Sequence, residues 1–290
     1  MVATKEHSFV GVEYPVLDEG FVRVVDYMGG DEAVVQAARV SYGAGTKKVS
    51  EDRALIRYLM RHRHTSPFEM CEIKFHLRVP MDCWRQWIRH RTASVNEYST
   101  RYSIAIDAAQ TTPPEAWREQ SADNKQGSGG YFALEAGQRL SASEAELQAL
   151  ARRVYEERLN LGVAREQARK DLPLSTYTEA YWKIDLHNLL RFLELRLHPH
   201  AQYEIRAYAD CIYRNVLAAW APLTFEAFND YILNATTFSD VEIKIMAALN
   251  AGDVEKAMEI YRFAGWEAPK NRERAEFEAK AAKIGLRLPW

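Results

Sequence analysis

The sequence predicts a protein of the α+β class, and three observations support this prediction. Helical periodicities alternate with a few isolated strand patterns, which do not recur at the spacing of βαβ units. No glycine-rich loop of the GxGxxG or GxxxxGK(S/T) type follows a strand, so the usual dinucleotide and P-loop sites are not visible. The sequence contains no repeat with a period of about 20–50 residues, which would mark a repeat protein.

Three segments have the composition and alternation of β-strands. Residues 71–79 alternate apolar and polar side chains throughout, which predicts a strand with one buried face. Residues 21–28 carry Val, Phe and Tyr in alternation and stop at Gly29-Gly30. Residues 175–183 suggest a third strand.

Helices are expected between and after these strands. Three are predicted from their caps: Asp31 begins a helix that ends near Gly43 and Gly45, Ser50 begins one that runs to about Arg63, and Ser141 with Glu144 forms a capping box for one that runs to about Leu161. Further helical periodicities cover 81–91, where Pro80 stands at the start, and 185–198, 201–221, 254–266 and 272–285.

Residues 107–130 are the least regular part of the sequence. The segment is polar, contains Pro113-Pro114 and ends in a Gly-Ser-Gly-Gly run. This composition predicts an irregular, mobile insertion.

The charges of the chain nearly cancel, with 38 Lys and Arg against 40 Asp and Glu. This balance argues against a globally basic nucleic-acid-binding protein and against an acidic disordered chain. It conceals a cationic segment, because residues 57–102 hold nine Lys or Arg and four Asp or Glu, an excess of 9 − 4 = +5, together with four His. Two phrases dominate this segment: RHRHTSPFE at 61–69 and RHRTASVNEYSTRY at 89–102.

Three interpretations of the cationic segment compete. Arg89, Arg91 and Arg101 suit a small phosphorylated ligand, because guanidinium groups donate paired hydrogen bonds to phosphate. Two His-x-His pairs, at 62–64 and 198–200, could each bind a metal ion, but flanking arginines oppose a divalent cation and no third ligand is suitably spaced. The third interpretation is a solvated, Arg- and His-rich surface.

The cysteines and the apolar runs indicate the cellular compartment. Cys71, Cys83 and Cys211 are too few and too scattered for a disulfide framework, so we expect buried thiols in a reducing compartment. No apolar run approaches the roughly 20 residues of a membrane span, and the N-terminus lacks the apolar core of a secretory signal. We therefore expect a cytoplasmic protein without a membrane partner.

The second cationic phrase carries a specific resemblance. Arg89-His90-Arg91, followed after seven residues by Ser99, resembles the RHR-x7-S signature of flavin-dependent thymidylate synthases, and the whole phrase is similar to that family's motif almost letter for letter. FVRVVDYMGGDEAVVQAARVSYG, RHRHTSPFE, AREQARKDLPLSTYTEAYW and LRFLELRLHPHAQYEIR resemble further parts of the family's sequences. The resemblance covers roughly residues 20–230, apart from the 107–130 segment.

This resemblance implies the synthesis of dTMP by reductive methylation of dUMP. The carbon donor would be methylenetetrahydrofolate, the redox cofactor FAD and the reductant NADPH. The implied fold is a central sheet surrounded by helices, and the implied assembly is a homotetramer whose active sites are shared between subunits. The cysteines agree with a flavin route, because none lies in the cationic motifs where a covalent thymidylate synthase of the unrelated type would need its nucleophile. We expect neither a metal ion nor a nucleic-acid partner.

The resemblance also implies roles for individual residues. Arg196 is the implied catalytic residue, a fixed cation that favours ionisation of the pyrimidine at N3. Ser99 is expected to hydrogen-bond to dUMP rather than to act as a nucleophile, since no His–carboxylate pair is evident to activate it. The implied cofactor-binding residues are His64, Ser66, Arg89, His90, Arg91, Glu97, Asp185, Leu186, His187 and Arg191. The implied substrate-binding residues are Gln86, Trp87, Ile88, Arg89, Glu97, Tyr98, Ser99, Thr100, Arg101, Arg169 and Arg196.

The sequence departs from the family's pattern in two places. Asp185 and Arg191 stand where some members carry Asn against the FAD. Residues 236–290 extend beyond the resemblance, so we divide the chain into a synthase domain at 1–235 and a C-terminal helical extension, interpreted as a packing or interface appendage. Two alternative functions stay open: a noncatalytic nucleotide- or RNA-binding protein that uses the Arg cluster, and another flavin-dependent nucleotide transferase.

Overall fold

The strands of the structure form two sheets. The computed structural model describes residues 9–40, 49–121 and 127–290. The strands are β1 (Glu13–Val16), β2 (Gly20–Met28), β3 (Glu72–Pro80), β4 (Ser94–Glu97), β5 (Arg118–Gln120), β6 (Ser128–Tyr131) and β7 (Tyr177–Asp185). Five of them form an antiparallel sheet in the order β1-β2-β3-β7-β4, and β5 pairs with β6.

Helices precede and follow the strands of the larger sheet. They are α1 (Asp31–Arg39), α2 (Val49–Arg61), α3 (Ser66–Glu69), α4 (Met81–Trp87), α5 (Leu134–Asn160), α6 (Arg165–Ala168), α7 (Leu186–Arg196), α8 (Tyr203–Cys211), α9 (Ala218–Trp220), α10 (Pro222–Phe228), α11 (Asp240–Asn250), α12 (Val254–Phe263) and α13 (Arg272–Lys283). A π-helical segment, Ile212–Leu217, joins α8 to α9, and a second, Asn229–Leu233, follows α10. The predicted α+β class, with a central sheet surrounded by helices, is confirmed.

The pairing of β3 with β7 organises the central sheet. Its register joins Glu72 to Asp185 at one end and Pro80 to Tyr177 at the other. The apolar positions of β3 are buried, from Ile73 to Val79, whereas the polar positions between them are partly exposed, as the alternation predicts. The strands predicted at 21–28, 71–79 and 175–183 correspond to β2, β3 and β7.

The chain divides into two compact units, Met1–Leu233 and Asn234–Trp290. The second unit has an apolar core of its own, in which Trp266 and Phe277 are the largest fully buried side chains. Ser239 and Glu242 form a capping box at the start of α11. The assignment of a synthase domain to 1–235 and of an appendage to 236–290 stays a prediction. In the part of the chain that the structure describes, no helix is long and apolar enough to cross a membrane.

Asp31 does not cap α1, contrary to the prediction. Gly30 occupies the N-cap position, and the Asp31 carboxylate accepts hydrogen bonds from the backbone N–H groups of Leu223 at 2.7 Å and Thr224 at 2.9 Å. The Thr224 hydroxyl donates a third, at 2.7 Å. Asp31 therefore caps α10, because its side chain supplies the acceptors that the first N–H groups of that helix lack. The predicted end of α1, near residues 43–45, lies outside the described residues.

Two other predicted caps are also wrong. Ser50 lies inside α2, which ends at Arg61. Ser141 and Glu144 lie inside α5, which begins at Leu134. Both side chains bind the preceding segment instead: the Ser141 hydroxyl donates to the Thr112 carbonyl at 2.6 Å, and Glu144 accepts from the Thr112 N–H at 2.7 Å. The same polar residue types cap helices or tether loops, and only the fold decides which.

The 107–130 segment is more ordered than its composition predicts. It contains a 3₁₀ turn at Pro114–Ala116 and the paired strands β5 and β6. The expectation of irregular structure is therefore wrong for these stretches, because backbone pairing satisfies their polar groups. Residues 122–126 lie outside the described ranges.

Replacement of Asp31 should destabilise the protein, although Asp31 is not among the predicted ligand-binding residues. We expect Asp31→Ala to lower the free energy of unfolding by about 1–3 kcal/mol, because three donors at the start of α10 lose their acceptor. Urea titrations followed by tryptophan fluorescence measure the loss. Asp26→Ala, at an exposed carboxylate, is the matched control and should change the free energy by less than about 0.5 kcal/mol. Equal effects of the two substitutions would contradict the capping role.

Candidate functional site

Arg196 meets the end of α4 through the course of α7. The N–H of Leu186, the first residue of α7, donates to the Cys71 carbonyl at 2.8 Å, so α7 begins beside the start of β3. Arg196, its last residue, donates from Nη2 to the Gln86 carbonyl and from Nε to Nε2 of His90, both at 3.1 Å. The helix thus brings the predicted catalytic residue to two residues of the predicted ligand-binding stretch.

A cavity of about 680 Å³ opens at this meeting point. Arg85, Gln86, Ile88, Arg89 and Arg196 line it. We call it the Arg196 cavity. Three of its five lining side chains are guanidinium groups, which are donors only, so it suits a ligand rich in acceptor oxygens.

His90 is neutral in this arrangement. Burial, followed by the charges of Arg196 and Arg191, lowers the pKa of His90 to about 4. Its Nε2 accepts from Arg196, which assigns the ring proton to Nδ1. The ring packs edge-on against Phe192, with centroids 5.0 Å apart. His90 therefore orients Arg196 as a hydrogen-bond acceptor without adding positive charge.

A second cavity, of about 460 Å³, collects the other predicted substrate residues. Its lining includes the consecutive residues 97–101 and Arg169. Arg169 Nη1 donates to the Thr100 hydroxyl at 2.6 Å, and the Thr178 hydroxyl donates to Glu97 at 2.9 Å. Because β4 pairs with β7, these remote segments share one surface. We call it the Arg169 cavity.

A third cavity, of about 420 Å³, is lined by His64, His187 and Arg191 together with apolar side chains such as Phe68. The chain reaches it through a tight turn after α2. Arg63 has a left-handed φ of 55°, its N–H donates to the Met60 carbonyl at 3.2 Å, and the His64 N–H donates to the Leu59 carbonyl at 3.0 Å. This is a Schellman turn, with Arg where Gly is usual, and it directs the chain from α2 to His64. We call this the His64 cavity.

The arginines around the Arg196 and His64 cavities lack neutralising partners. Elsewhere, arginines such as Arg118 bind carboxylates, here Glu204 at 2.7 Å. Arg89, Arg91 and Arg191 are exposed, and none of them forms an ion pair with a carboxylate of the described ranges. Their charge is therefore available to an anionic ligand.

Several predicted residues occupy other places. Trp87 and Leu186 are fully buried in the core, so neither residue is accessible to a ligand in this arrangement. Both Asp185 carboxylate oxygens accept from Asn188, from its N–H at 2.9 Å and its side-chain amide at 2.8 Å, because Asp185 caps α7. Ser66, Trp87, His90, Arg91, Asp185 and Leu186 line none of the three cavities.

The two His-x-His pairs do not assemble a metal site. The rings of His62 and His64 lie 6.5 Å apart by their centroids, and those of His198 and His200 lie 4.8 Å apart. Within the described ranges, no group of three or more His, Cys, Asp or Glu side chains could hold a metal ion.

The sequence did not predict a role for two side chains behind the Arg196 cavity, those of Asp82 and Gln202. The Gln86 amide donates to the Gln202 side-chain oxygen, and Gln202 Nε2 donates to Asp82 at 3.0 Å. Gln202 belongs to the string HAQYEI, whose resemblance to the family was the only available signal.

Comparison with known proteins gives a consistent result. Residues 23–223 match the family described as "Thymidylate synthase complementing protein". The chain is 53% identical over 241 residues to a flavin-dependent thymidylate synthase of Wolbachia pipientis wMel, covering 83% of this chain and 84% of that protein. It is 54% identical over 249 residues to one of Gluconobacter oxydans (strain 621H), covering 83% and 80%. A solved structure of PolB, a UMP/dUMP methylase from Streptomyces cacaoi bound with 5-Br UMP, is similar with a TM-score of 0.68 and 34% identity, covering 76% of this chain and 99% of that one.

Half-buried His90 should make the protein less stable below neutral pH. Folding lowers the pKa of His90 from 6.5 to about 4, so the unfolded chain takes up the proton first, and stability is lost as the pH falls through 6.5 towards 4. Between pH 7 and pH 5 the wild type should lose about 1 kcal/mol more than His90→Gln, a value reduced for the partial exposure of the ring. Urea titrations at both pH values measure this difference. Equal losses would contradict a neutral His90.

Proposed function

The chain belongs to the family of flavin-dependent thymidylate synthases, and on that premise we propose that it converts dUMP to dTMP by reductive methylation at C5. The proposed carbon donor is methylenetetrahydrofolate, the redox cofactor FAD and the reductant NADPH. The observation that carries the proposal is the contact of Arg196 with Gln86 and His90 at a cation-lined cavity. Family membership decides against the noncatalytic binding protein that the charge pattern left open.

We propose that the nucleotide occupies the Arg196 and Arg169 cavities of two different copies of the chain. Apart from Trp87, the predicted dUMP contacts divide between these cavities, which have no lining residue in common. Arg101 and Arg169 suit the phosphate, because paired guanidinium groups bind its oxygens in forks. Arg196 suits the pyrimidine. A homotetramer with shared active sites, as the resemblance implies, would bring the two cavities together.

Arg196 is the proposed catalytic residue. Two of its five N–H groups donate to Gln86 and His90. The other three have no acceptor among the described residues and could donate to a ligand. A fixed guanidinium beside the pyrimidine stabilises negative charge that develops on the ring at N3. Burial, with the charge of Arg89, lowers the pKa of Arg196, but a guanidinium stays charged at neutral pH.

The flavin would be held by residues of the His64 cavity and by Arg89, His90 and Arg91. The cavity combines apolar walls with Arg191 and two imidazoles, a donor set that fits a flat ring system attached to a pyrophosphate. When bound, FAD supplies the redox chemistry of the reaction. The protein's own residues bind and orient the reactants.

The cysteines are unsuited to covalent catalysis. All three are free and buried, and burial raises the pKa of the Cys71 and Cys211 thiols to about 11 and that of Cys83 still further. The thiolate is the nucleophilic form, so these side chains stay unreactive near neutral pH. Their state supports a flavin route, and free thiols support the proposed cytoplasmic location.

The proposed reaction is tested with the flavin-loaded protein, NADPH, methylenetetrahydrofolate and either dUMP or UMP, with the product identified by mass. We expect a flavoprotein that absorbs at ~450 nm, forms dTMP and acts on dUMP in preference to UMP. Folded, flavin-bound protein that forms no dTMP, with or without oxygen, would contradict the proposal. Preferential methylation of UMP would show that the chain is a UMP methylase rather than a thymidylate synthase.

Removal of the Arg196 guanidinium should separate catalysis from cofactor binding. We expect Arg196→Ala to lower kcat by about 10²–10³-fold while the protein keeps its flavin, because the lost charge acts on the pyrimidine. Arg214→Ala is the control, since Arg214 forms an exposed pair with Asp210 at 2.7 Å outside the three cavities. Loss of FAD from Arg196→Ala without a separate turnover defect would reassign Arg196 to cofactor binding.

A further inference from the structure

A relay of two amides and one carboxylate lies behind the Arg196 cavity. Asp82 and Gln86 lie four residues apart on α4 and therefore on one face of that helix. Gln202, at the N-cap position of α8, stands between their side chains. The second Asp82 oxygen, Oδ1, accepts from the Cys83 N–H at 2.7 Å. Both ends of the Gln202 amide are thus engaged.

The carboxylate decides the direction of every hydrogen bond in this relay. Ionised Asp82 can only accept, so Gln202 must turn its NH₂ towards Asp82 and its oxygen towards Gln86. Gln86 must then donate from its own NH₂. The Gln86 side-chain oxygen is left as a hydrogen-bond acceptor, without a donor from the described residues.

We propose that Asp82 and Gln202 are positioning residues that make Gln86 present this acceptor to the nucleotide. The inference rests on the proposed function of the Arg196 cavity and deepens it. Arg85, Arg89 and Arg196 line the cavity with donors only, so the Gln86 oxygen supplies a complementary acceptor. It would recognise a donor of the nucleotide, either a base N–H or a sugar hydroxyl.

Asp82→Asn should reverse the relay. The single oxygen of Asn is required by the Cys83 N–H, so its NH₂ faces Gln202 and turns the Gln202 amide round. Gln202 then donates to the Gln86 oxygen. Gln86 therefore presents its NH₂ group to a cavity in which the arginine side chains already supply donors only. Gln86→Glu alone should also weaken dUMP binding, because the Gln202 oxygen would face a carboxylate. The double variant should regain dUMP binding, since the reversed Gln202 amide donates to one Glu oxygen and the other Glu oxygen faces the nucleotide.

The experiment measures the dUMP dissociation constant and the steady-state constants of the flavin-loaded wild type, the two single variants and the double variant. We expect each single variant to weaken dUMP binding by about tenfold, with most of the effect in KM rather than kcat, and the double variant to return within about threefold of the wild type. Asp210→Asn is the matched control on an exposed carboxylate and should bind dUMP as the wild type does.

Gln202→Met, of similar size, provides a second route if a charge-altering variant does not fold, and retained flavin absorbance reports folding. It should weaken dUMP binding by about threefold or more with kcat retained, because Gln86 is then free to turn either way. Single-variant losses that multiply in the double variant, or unchanged binding in Asp82→Asn and Gln202→Met, would overturn the relay while wild-type turnover still supports the proposed function. A wild type that does not bind dUMP would overturn both.

Discussion

Nine consecutive residue pairs join β3 to β7, and the positions of the predicted site residues depend on this antiparallel ladder. Because the strands run in opposite directions, α4 leaves the sheet at one end while α7 begins at the other. Helix α7 then runs back over 11 residues, about 16 Å at the usual rise, and its last residue reaches the end of α4. The same strand β7 pairs with β4 and so brings Glu97 towards Arg169.

Charge is organised around this framework by burial as much as by sequence. A cluster of arginines without carboxylate partners costs self-repulsion, which weakens as solvent screens the exposed members. Burial keeps His90 neutral, so it can accept from Arg196 where a charged imidazole would repel it. The proposed effect of Asp82 on the cavity is indirect. Its carboxylate orients the Gln202 amide, which in turn orients the Gln86 amide. Partly buried groups thus orient the donors and acceptors around the Arg196 cavity.

The sequence predicts the parts of this arrangement that depend on neighbouring residues. The strand β3 follows from its alternation, and the cationic segment at 89–102 is predicted to bind ligands from its resemblance to a family signature. Contacts between distant segments could not be predicted in this way. His90 and Arg196 are 106 residues apart, and Asp31 caps a helix whose first turn lies 192 residues later. Periodicity and capping signals describe local backbone preferences, whereas these partners are chosen by the tertiary fold.

A crystal structure of the flavin-loaded protein with bound dUMP tests most directly how the nucleotide site is built. It should place the pyrimidine against Arg196 and Gln86 of one copy of the chain, and the phosphate against Arg101 and Arg169 of another. The Gln86 side-chain oxygen should lie within hydrogen-bond distance, about 2.7–3.2 Å, of a donor on the nucleotide. A nucleotide bound away from Arg196, or held entirely within one copy, would contradict the account.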